Sequence, residues 1–542
     1  MRADPVSETP KTQVVIVGAG PVGLALAIEL GHRGIGCLVI ERNDRVGYAP
    51  RAKTTHARTR EHLRRWGIAG KLREASPFGV DYPSTVLFVT RLGGHALAHF
   101  DNAFNCKPGR DPRYSEHAQW IPQYTLEEVL RAHAQTLPGV QLRFGTEFVS
   151  CAQDEREVRV QMRGVASGAI ETVACDYLLG ADGAHSAVRE AIGARMSGQH
   201  GLSRNYNLVF RARGLAQAHR HEKAIMYWQV NPDFPGLIGP MDRDDIWFFM
   251  PTGVKGDVKP SDLDGAALIR TATGIDQPYE VLSWDEWTAS RLIADRYRDR
   301  RVFLAGDACH LHPPFGGYGM NMGIADSVDL GWKIAAVLQG WGGPALLDSY
   351  ERERRPVHGW VMDEAVANHA VLGNQLWQDG LEAPGAEGDS LRATVGAKIQ
   401  AIKQREFNTI GVVLGYRYDD SPVIIPDGSE PPPNGSVYVP SARPGHVAPH
   451  AWLENGLSLY DCFGPGFTLL ATREAEASGI EDAQRAASEA GLPLTVMSTD
   501  DADIAALYQA RYALIRPDQH VAWRGDAAPA RAVFERIAGR SQ

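Results

Sequence analysis

The chain has 542 residues, a formal net charge of −9 and a hydrophobic content of 44%. This length and balance are enough for about three domains with a large buried core. The negative charge excludes an electrostatic attraction to nucleic acid or to an anionic membrane.

Targeting segments and metal motifs are also missing from the sequence. The first residues contain no apolar stretch typical of a secretory signal, and no apolar run has membrane-spanning length, so we expect a cytoplasmic protein that does not enter a membrane. The six cysteines lie apart, without C-x-x-C or Cys/His metal spacing. We therefore expect reduced, mostly buried cysteines and no metal site.

The first predicted elements form a strand–helix–strand unit from Gln13 to Glu41. An apolar strand leads into glycines in G-x-G-x-x-G spacing, and a second strand ends on the acid. In this context the glycines allow a tight turn, a close approach to a pyrophosphate and helix–strand packing, while the acid accepts hydrogen bonds from a ribose. The residues predicted to bind a dinucleotide here are Gly18, Gly20, Pro21, Val22, Gly23 and Glu41.

A basic segment follows at residues 42–65, with a helix predicted from Thr59. Arg51 and Arg58 carry charges that suit a phosphate, a flavin or a substrate. For the later arginines of the segment a solvated basic helix face is the interpretation that we favour, and these are Arg60, Arg64 and Arg65.

Residues 76–118 mix proline, glycine and short strand-like runs, which indicates an excursion out of the nucleotide-binding unit. The next predicted helix carries Thr125 and Glu128 in capping-box spacing, with Gln123 just before them. A pair of strands then leads to a strand that ends in a Gly-Ala-Asp-Gly turn at Asp182.

From about residue 195 to residue 290 the sequence alternates between polar and apolar or aromatic residues. This alternation predicts a largely antiparallel sheet with one face toward a cavity. Aromatic residues in such a sheet either line the cavity or belong to the plain core. The candidates to line it are Tyr227, Trp228, Trp247 and Phe249.

Residues 301–340 return to an α/β pattern, in which a strand ends in Gly306-Asp307. Ligands of α/β folds bind at the carboxyl ends of strands. A loop rich in proline and glycine leads to a helix predicted to begin near Asn321, whose N–H groups would point toward a ligand. Beyond a Pro/Gly-rich passage at 418–450, further strands and helices predict a separate C-terminal α/β domain.

Together the three turns resemble those of the group A flavoprotein aromatic hydroxylases, of the para-hydroxybenzoate hydroxylase type. The matching residues are the first glycine motif with Glu41, Asp182-Gly183, Gly306-Asp307, Pro313-Pro314 and Gly319-Met320-Asn321. The tail, with RPDQHVAWRGD, resembles the thioredoxin-like domain of the phenol and polyketide hydroxylases, although it has no C-x-x-C. The chain is also similar to flavin enzymes that handle large indolocarbazole precursors.

The resemblance implies an α/β fold in three parts. A Rossmann-like FAD-binding domain would comprise residues 1–75, 119–194 and 290–400. A mostly antiparallel β-sheet substrate domain would be interleaved with it, at residues 76–118 and 195–289. A thioredoxin-like α/β domain would occupy residues 401–542.

The resemblance also implies bound FAD, NAD(P)H as a transient co-substrate, O₂ and a small aromatic substrate. Such enzymes hydroxylate phenolic or polycyclic rings through a flavin C4a-hydroperoxide. The further FAD-binding residues implied are Arg42, Arg51, Arg58, Gln123, Phe148, Asp182, Gly183, Asp307, Pro314, Gly317, Gly319, Met320 and Asn321. The implied substrate contacts are Tyr227, Trp228, Trp247, Phe249, Phe315 and Gly316, and the catalytic candidates are His310, Tyr227 and Pro314.

Two other functions stay open on the sequence. The indolocarbazole resemblance allows a flavin-dependent oxidase or an oxidative decarboxylase of a large aromatic biosynthetic intermediate. The third interpretation is a binding protein that sequesters a reactive ligand, and the intact flavin motifs argue against it. A homodimer is compatible with the sequence.

Overall fold

The computed structural model describes residues 10–44, 52–242, 245–252, 263–369, 375–428 and 433–540. Arg51, one of the predicted FAD-binding residues, lies outside these described residues. No helix in the described ranges combines the length and the hydropathy needed to cross a membrane. All six cysteines are free thiols, as expected.

The strands fall into three larger sheets and one short pair. In chain order they are β1 Lys11–Val17, β2 Cys37–Glu41, β3 Thr54–Thr55, β4 Val86–Val89, β5 Ala96–Phe100, β6 Gln119–Trp120, β7 Val140–Phe144, β8 Thr146–Gln153, β9 Val158–Gly164, β10 Ile170–Gly180, β11 Met196–Arg211, β12 Met226–Gln229, β13 Gly236–Pro240, β14 Ile246–Pro251, β15 Glu280–Ala294, β16 Arg298–Asp299, β17 Val302–Leu304, β18 His310–Leu311, β19 Phe467–Ala471, β20 Leu494–Ser498, β21 Tyr512–Ile515 and β22 Val521–Gly525.

The helices alternate with strands at both ends of the chain and form a longer run in between. They are α1 Pro21–His32, α2 Ala57–Arg65, α3 Ala69–Glu74, α4 Gln123–Ala134, α5 Ala187–Ala191, α6 Gly265–Thr273, α7 Tyr318–Leu338, α8 Pro344–His369, α9 Ala386–Phe407, α10 Ile410–Val413, α11 Ala477–Glu489, α12 Ala502–Tyr508 and α13 Arg531–Ile537.

The first sheet carries the predicted nucleotide-binding unit. Its strand order is β16-β17-β10-β1-β2-β7, with β9 paired to β10 and β8 paired to β9. Strands β17, β10, β1, β2 and β7 run parallel. Residues Val14 to Val17 of β1 are almost fully buried, which explains why this central strand is a continuous apolar run in the sequence. The sheet thus has the parallel α/β character that the sequence predicts.

The second sheet has the order β18-β15-β11-β14-β13-β12-β4-β5. All of its pairings are antiparallel except that of β12 with β4. Two separate hydrophobic cores cover its two faces, one of them completed by α6 and the other by α9. We call the face toward α9 the inner face, because Phe315 of the predicted flavin loop packs in the same core.

The third sheet has the order β20-β19-β21-β22, in which only β19 and β20 run parallel. Its chain order, strand–helix–strand–helix–strand–strand–helix, is consistent with the predicted thioredoxin-like unit. Buried charges join this unit to α7 and α8. Arg516, in the turn after β21, donates to Asp329, Glu353 and Asp518, and Lys333 lies 2.8 Å from Asp329. We refer to these five residues as the Arg516 cluster.

Two helix starts differ from the sequence prediction. Helix α4 begins at Gln123, after the extended backbone of Pro122, so Thr125 lies inside the helix and caps nothing. Helix α7 begins at Tyr318, ahead of the predicted start near Asn321. The cause is Gly317, whose left-handed backbone (φ 68°) already turns the chain into the helix.

Helix α9, Ala386–Phe407, connects the first part of the chain to the second sheet through its buried side. Its buried residues include Val395 and Ile399, which belong to the inner-face core. The helix also runs through residue 400, where the sequence places a domain boundary, and it packs against β5 of the second sheet. The domain boundaries as such stay a prediction.

Candidate active site

The first turn depends on the absence of two side chains. Gly18 has φ +102°, and a Cβ there would lie 2.4 Å from the carbonyl oxygen of Ala181. A Cβ at Gly23 would lie 1.9 Å from the carbonyl oxygen of Gly18. At Gly20, in contrast, a Cβ would have nothing within 4 Å. Two glycines therefore permit packing, while the middle one leaves open space at the N-terminus of α1.

Glu41 closes this turn from the end of β2. One carboxylate oxygen accepts a hydrogen bond from the Ala19 N–H at 3.0 Å, and the other accepts from the Asn43 N–H at 2.9 Å. The side chain is only partly buried, and a carboxylate has about four lone-pair positions in all. It can accept further hydrogen bonds from a ribose while it holds the turn.

The second turn lies directly against the first. The Ala181 N–H donates to the Val17 carbonyl, which extends the pairing of β1 and β10 into the turns. Asp182 accepts from the Ser186 hydroxyl at 2.5 Å and from the Val188 N–H at 3.1 Å, and burial raises its pKa. The Asp182 side chain therefore shapes the turn, and Gly183 beside it has open space at its Cβ position.

The third turn, at Gly306, packs against the N-terminus of α1. A Cβ at Gly306 would lie 2.8 Å from Val22, and a Cβ at Gly323 of α7 would lie 2.6 Å from the same side chain. The Ser327 hydroxyl donates to the Val22 carbonyl at 2.7 Å. Asp307 follows as an exposed residue in an otherwise buried stretch, so its carboxylate faces the open side of the turn.

One arginine connects the second and third turns. Arg189 donates to the Ala308 carbonyl at 3.0 Å and to the Ala184 carbonyl at 2.9 Å. With the contacts of Ala181 and Val22, this brings all three predicted turns to one place at the carboxyl ends of β1, β10 and β17. The sequence did not single out Arg189 as a bridge, although it follows Asp182 closely in the chain, in α5.

The loop before α7 borders the same place. Gly316 and Gly317 both have positive φ, and a Cβ at Gly319 would meet only His312, at 3.8 Å. The Asn321 side chain accepts from the His56 N–H at 2.9 Å and donates to the Thr54 carbonyl at 2.9 Å. Asn321 therefore ties the segment before α2 to the loop, in addition to the predicted role of its N–H.

Comparison with known proteins identifies the family of this chain. A family described as FAD binding domain matches residues 11–365, and one described as aromatic-ring hydroxylase, C-terminal, matches residues 441–541. The chain is 33% identical to a 4-methyl-5-nitrocatechol 5-monooxygenase of Burkholderia sp over 95% of each chain. It is also 33% identical to aklavinone 12-hydroxylase DnrF of Streptomyces peucetius, over 86% of this chain and 93% of that protein.

The chain belongs to the FAD-dependent aromatic-ring hydroxylases. Among solved structures, the rebeccamycin biosynthetic enzyme RebC with reduced flavin matches with a TM-score of 0.91 and 34% identity, over 98% of this chain and 100% of that chain. The hydroxylase is thus an enzyme that uses FAD, as the motifs predict, and NAD(P)H as co-substrate, as the resemblance implies. The open space at Gly20 and Gly183, beside a helix N-terminus, fits the pyrophosphate of that cofactor.

The second sheet of the hydroxylase divides the predicted substrate residues between its two faces. Trp228 lies on the inner face, with its ring centroid 6.1 Å from that of Phe315. Tyr227, Trp247 and Phe249 lie on the opposite face, in the core that α6 completes. Successive strand residues point to opposite faces, so adjacent aromatics cannot line one cavity. The three outer residues thus lie across the sheet from the flavin loop, and their contact with a substrate stays a prediction.

Tyr227 lies in this outer-face core as well, and its catalytic role stays a prediction. Its hydroxyl donates to the Glu222 carbonyl at 2.8 Å and accepts from the Ala224 N–H at 3.1 Å, and burial raises its pKa. Phe248, which the sequence analysis passed over, takes the inner-face position between Trp247 and Phe249. If the face of any one residue of β14 had been known, strict alternation would have placed Phe248 on the inner face.

His310 is fully buried beneath the third turn instead of facing a substrate. Its Nε2 lies 2.7 Å from an oxygen of Asp326, which also accepts from the Gly306 N–H at 3.0 Å. Arg354 and His358 contact the other oxygen, each at 2.8 Å. Burial would raise the pKa of Asp326, but these partners hold it well below its usual range. His310 thus anchors the turn from a buried position that its place in the loop did not reveal, and its catalytic role stays a prediction.

Three histidines near this turn, His310, His312 and His358, come close enough to suggest a metal. The rings of His310 and His358 stack, however, with centroids 3.6 Å apart and planes inclined by 22°. Their in-plane lone pairs therefore run side by side and do not converge on one ion. The arrangement suits the hydrogen bonds to Asp326.

Arg58, predicted to contact FAD, points to the C-terminal unit. Its guanidinium donates to Glu61, to the Gln519 side chain at 2.6 Å and to the Asp518 carbonyl at 2.5 Å. The expected solvated face of α2 is also wrong for Arg60, which is buried against Glu116. These partners lie far away in the chain, so the helix pattern alone could not reveal them.

The remaining predicted FAD residues lie around the site or beside it. Arg42 is exposed just after Glu41, and Phe148 packs against the core of the first sheet. Gln123 begins α4 and donates to Glu127 at 2.7 Å. A small recess with a cavity volume of about 20 Å³ opens beside β6, and its lining residues are Phe78, Gly79, Val80, Tyr82, Ser84, Cys106, His117, Gln119, Trp120 and Ile225.

Proposed function

We propose that the hydroxylase inserts one oxygen atom of O₂ into a phenolic ring of a flat, polycyclic aromatic substrate. The observation that carries this proposal is the aromatic inner face beside the flavin loop, where Phe88, Trp228 and Phe315 form a continuous stack. The planes of Phe88 and Trp228 are only 2° apart. A flat ring adds to such a stack at little cost in ordering.

The relatives support the choice of substrate class. Their printed names contain nitrocatechol and aklavinone, and the neighbouring structure belongs to rebeccamycin biosynthesis. In addition, the indole N–H of Trp228 is buried and has no hydrogen-bond partner among the described residues. A buried donor without an acceptor is unfavourable, so an oxygen of the substrate would complete it.

Each turn has its own part in holding FAD under this proposal. The space at Gly20 takes the pyrophosphate and Glu41 the ribose of the adenosine, while Asp307 reaches the ribityl chain. The first N–H groups of α7, at Tyr318, Gly319 and Met320, favour negative charge near the flavin ring. Pro314 to Gly317 would wall the reaction space and keep water out.

The overall reaction balances with the reductant and O₂. One aromatic C–H bond becomes C–OH, NAD(P)H is oxidised to NAD(P)⁺, and the second oxygen atom leaves as water. FAD, when bound, supplies the redox chemistry. The residues of this chain position the ring, exclude solvent and stabilise charge.

The FAD-loaded full-length enzyme can be tested with NADH or NADPH and a panel of mono- and polycyclic phenols. We expect at least one phenol to accelerate flavin reduction and to gain one atom of ¹⁸O from ¹⁸O₂. No labelled product from any phenol would reject the proposal.

The two faces of the second sheet offer a matched pair of variants for this test. Trp228→Phe on the inner face should raise KM for the phenol or divert reducing equivalents to hydrogen peroxide. Trp247→Phe, on the outer face, should change neither. Equal effects of the two substitutions on KM and on hydrogen peroxide formation would show that the substrate does not contact the inner face.

A second candidate is oxidation without hydroxylation, which the similarity to RebC favours. A flavin oxidase or oxidative decarboxylase would convert its substrate without incorporating oxygen from O₂ into a phenol. The same ¹⁸O experiment separates the two, because that product would carry no ¹⁸O at a new phenolic position.

A further inference from the structure

A cleft larger than the recess beside β6 opens between β5 and the C-terminal end of α9. Its cavity volume is about 340 Å³, which lies in the size range of sites for small organic molecules. Its lining residues come from β5, from the turn that follows β5, and from the end of α9 with the residue after it. None of them belongs to the three flavin turns or to the predicted substrate contacts, so the cleft has no role in the proposed function.

The inner end of the cleft is aromatic. Phe100 of β5 and Phe407 of α9 line it, with ring centroids 4.8 Å apart. Both side chains are almost fully buried in the inner-face core. Phe88 lies behind them, 5.7 Å from Phe100 and 6.2 Å from Phe407 between ring centroids. The two rings therefore form an apolar wall between the cleft and the aromatic stack.

Most of the polar groups that line the cleft are neutral amides, and these belong to Asn102, Asn105, Gln404 and Asn408. Each amide carries two hydrogen-bond donors and one acceptor. A group that both donates and accepts, such as a hydroxyl, matches this lining better than a group that does only one of the two.

The groups at the cleft that can carry a charge are already engaged with one another. The His99 Nε2 lies 2.8 Å from the Asp101 carboxylate, and its Nδ1 lies 2.8 Å from the Glu222 carboxylate. No lysine or arginine is among the described residues that line the cleft. An anionic ligand such as a phosphate would meet carboxylates here, so the cleft favours a neutral ligand.

Asn105 provides the observation that points to a ligand. Only 8% of this residue is exposed, and its Oδ1 has no hydrogen-bond partner among the described residues. A buried acceptor without a donor is unfavourable. The last torsion of an asparagine side chain is soft and roughly twofold, so a donor in the cleft can draw this oxygen toward it.

The turn that carries Asn105 holds an unfavourable conformation. Asn102, Phe104 and Asn105 all have left-handed backbones, with φ of 47°, 59° and 61°. Such residues persist where the surrounding structure fixes them, and they cluster at binding sites. The Asn105 N–H donates to the Asn102 carbonyl at 3.0 Å, and the Asn105 carbonyl accepts from the Ala118 N–H at 3.1 Å. A fixed backbone thus holds the Asn105 amide at the cleft.

We propose that this cleft binds a neutral, hydroxyl-rich ring, of the kind found in monosaccharides and cyclitols, at a site separate from the flavin. The C–H face of such a ring packs against Phe100 and Phe407, and its hydroxyls meet the amides. One hydroxyl donates to the Asn105 Oδ1 and supplies the missing hydrogen bond. This inference goes beyond the proposed function and does not depend on it.

The test titrates the FAD-loaded full-length enzyme with four small molecules and follows binding by saturation-transfer NMR. These are D-glucose, myo-inositol, the anionic glucose 1-phosphate, and cyclohexanol, a ring with a single hydroxyl. The cleft variants are Asn105→Gly, which tolerates the left-handed backbone, and Gln404→Leu on α9. The matched controls are Gln509→Gly, at another left-handed residue, and Gln135→Leu, at an exposed glutamine after α4. FAD content and Tm show that each variant is folded.

We expect glucose or inositol to bind the wild type saturably. Asn105→Gly should weaken this binding about fivefold or more, the usual effect of losing one neutral hydrogen bond, and Gln404→Leu should weaken it as well. Both controls should bind like the wild type. Losses in both cleft variants would locate the ligand between the turn after β5 and α9.

No saturable binding of glucose or inositol by the wild type would overturn the inference, and so would unchanged affinity in a folded Asn105→Gly variant. If Asn105→Gly does not fold, unchanged affinity in Gln404→Leu decides against the cleft. Equal binding of cyclohexanol would show that the hydroxyls are not recognised, and tighter binding of glucose 1-phosphate would contradict a neutral ligand. The proposed function is tested with phenols and ¹⁸O₂ instead, so either proposal can fail alone.

Discussion

The first glycine turn and the Arg516 cluster both join segments that are distant in the chain. The turn does so through missing side chains, and the cluster through buried, paired charges. At the turn, the absence of side chains at Gly18 and Gly23 lets backbones touch, and Gly20 leaves space. In the cluster, Arg516 and its neighbouring charges fill the interface, and none of them is more than 3% exposed. A site for a ligand needs space, whereas a permanent interface between units needs every buried charge paired.

The largest expected effect is at the cluster. Arg516→Met would leave Asp329, Glu353 and Asp518 without their shared cation. Breaking a buried ion pair from one side costs about 3–5 kcal/mol. We expect a corresponding loss in the free energy of urea-induced unfolding and easier proteolysis between α9 and β19. A variant that unfolds like the wild type would show that the cluster does not hold the C-terminal unit.

The second prediction concerns pH and uses a buried acid outside the cluster. Glu29 of α1 is fully buried and contacts Arg65 at 2.6 Å, Arg33 at 2.7 Å and the Trp66 indole N–H at 2.8 Å. Burial would raise its pKa, but the two arginines lower the pKa from 4.5 to about 2. The folded state therefore holds this proton less tightly than the unfolded state, and the resulting stability is lost as pH falls.

We expect about 3 kcal/mol of stability to disappear between roughly pH 4.5 and pH 2 from this group. Glu29→Gln should be less stable at pH 7 and should lack this component of the pH dependence. Chemical unfolding of both proteins at a series of pH values measures it. Parallel curves for the two proteins would contradict the assignment. The first glycine turn contains no titratable side chain, so its backbone contacts should not contribute to the dependence of the unfolding free energy on pH.

The third prediction tests the open space at the turn. Gly20→Ala places a methyl group where nothing lies within 4 Å, so the protein should fold normally but lose about tenfold in FAD affinity, or ~1.4 kcal/mol. Gly70→Ala in α3 also meets nothing within 4 Å and serves as the control. Fluorescence titration of the apoprotein with FAD compares the two. Equal affinities would mean that the cofactor does not use this space.

The smallest effect is expected for an ion pair at the exposed edge of the same interface. Arg64 of α2 contacts Asp461 at 2.7 Å, but its side chain is 30% exposed. Such pairs contribute at most about 1 kcal/mol, and less at high salt. Arg64→Met should therefore shift the unfolding free energy far less than Arg516→Met. Similar losses of unfolding free energy in both variants would show that burial does not determine how much an ion pair contributes to stability here.

The same contrast explains which parts of the fold and of the site could be predicted from the sequence. The Gly18 turn, the turn at Asp182 and the Gly306 turn are encoded by short, local spacings, so both their conformations and their shared ligand could be predicted. The partners of Arg58 and Arg60 are encoded far away in the chain, and helix periodicity carries no information about them. Tyr227 and Trp228 show a third case, because alternation revealed a strand but not which of its faces meets the flavin loop.

The hydrogen bonds of Arg58 also bear on how the protein is made. Its partner Gln519 is 461 residues further along the chain, so a ribosome completes the first sheet's sequence long before that partner exists. Until then Arg58 of α2 can bond Glu61 but not the Gln519 side chain or the Asp518 carbonyl. Loss of the last strands would therefore reach the segment beside the flavin loop through α2, because it removes two of the hydrogen-bond partners of Arg58.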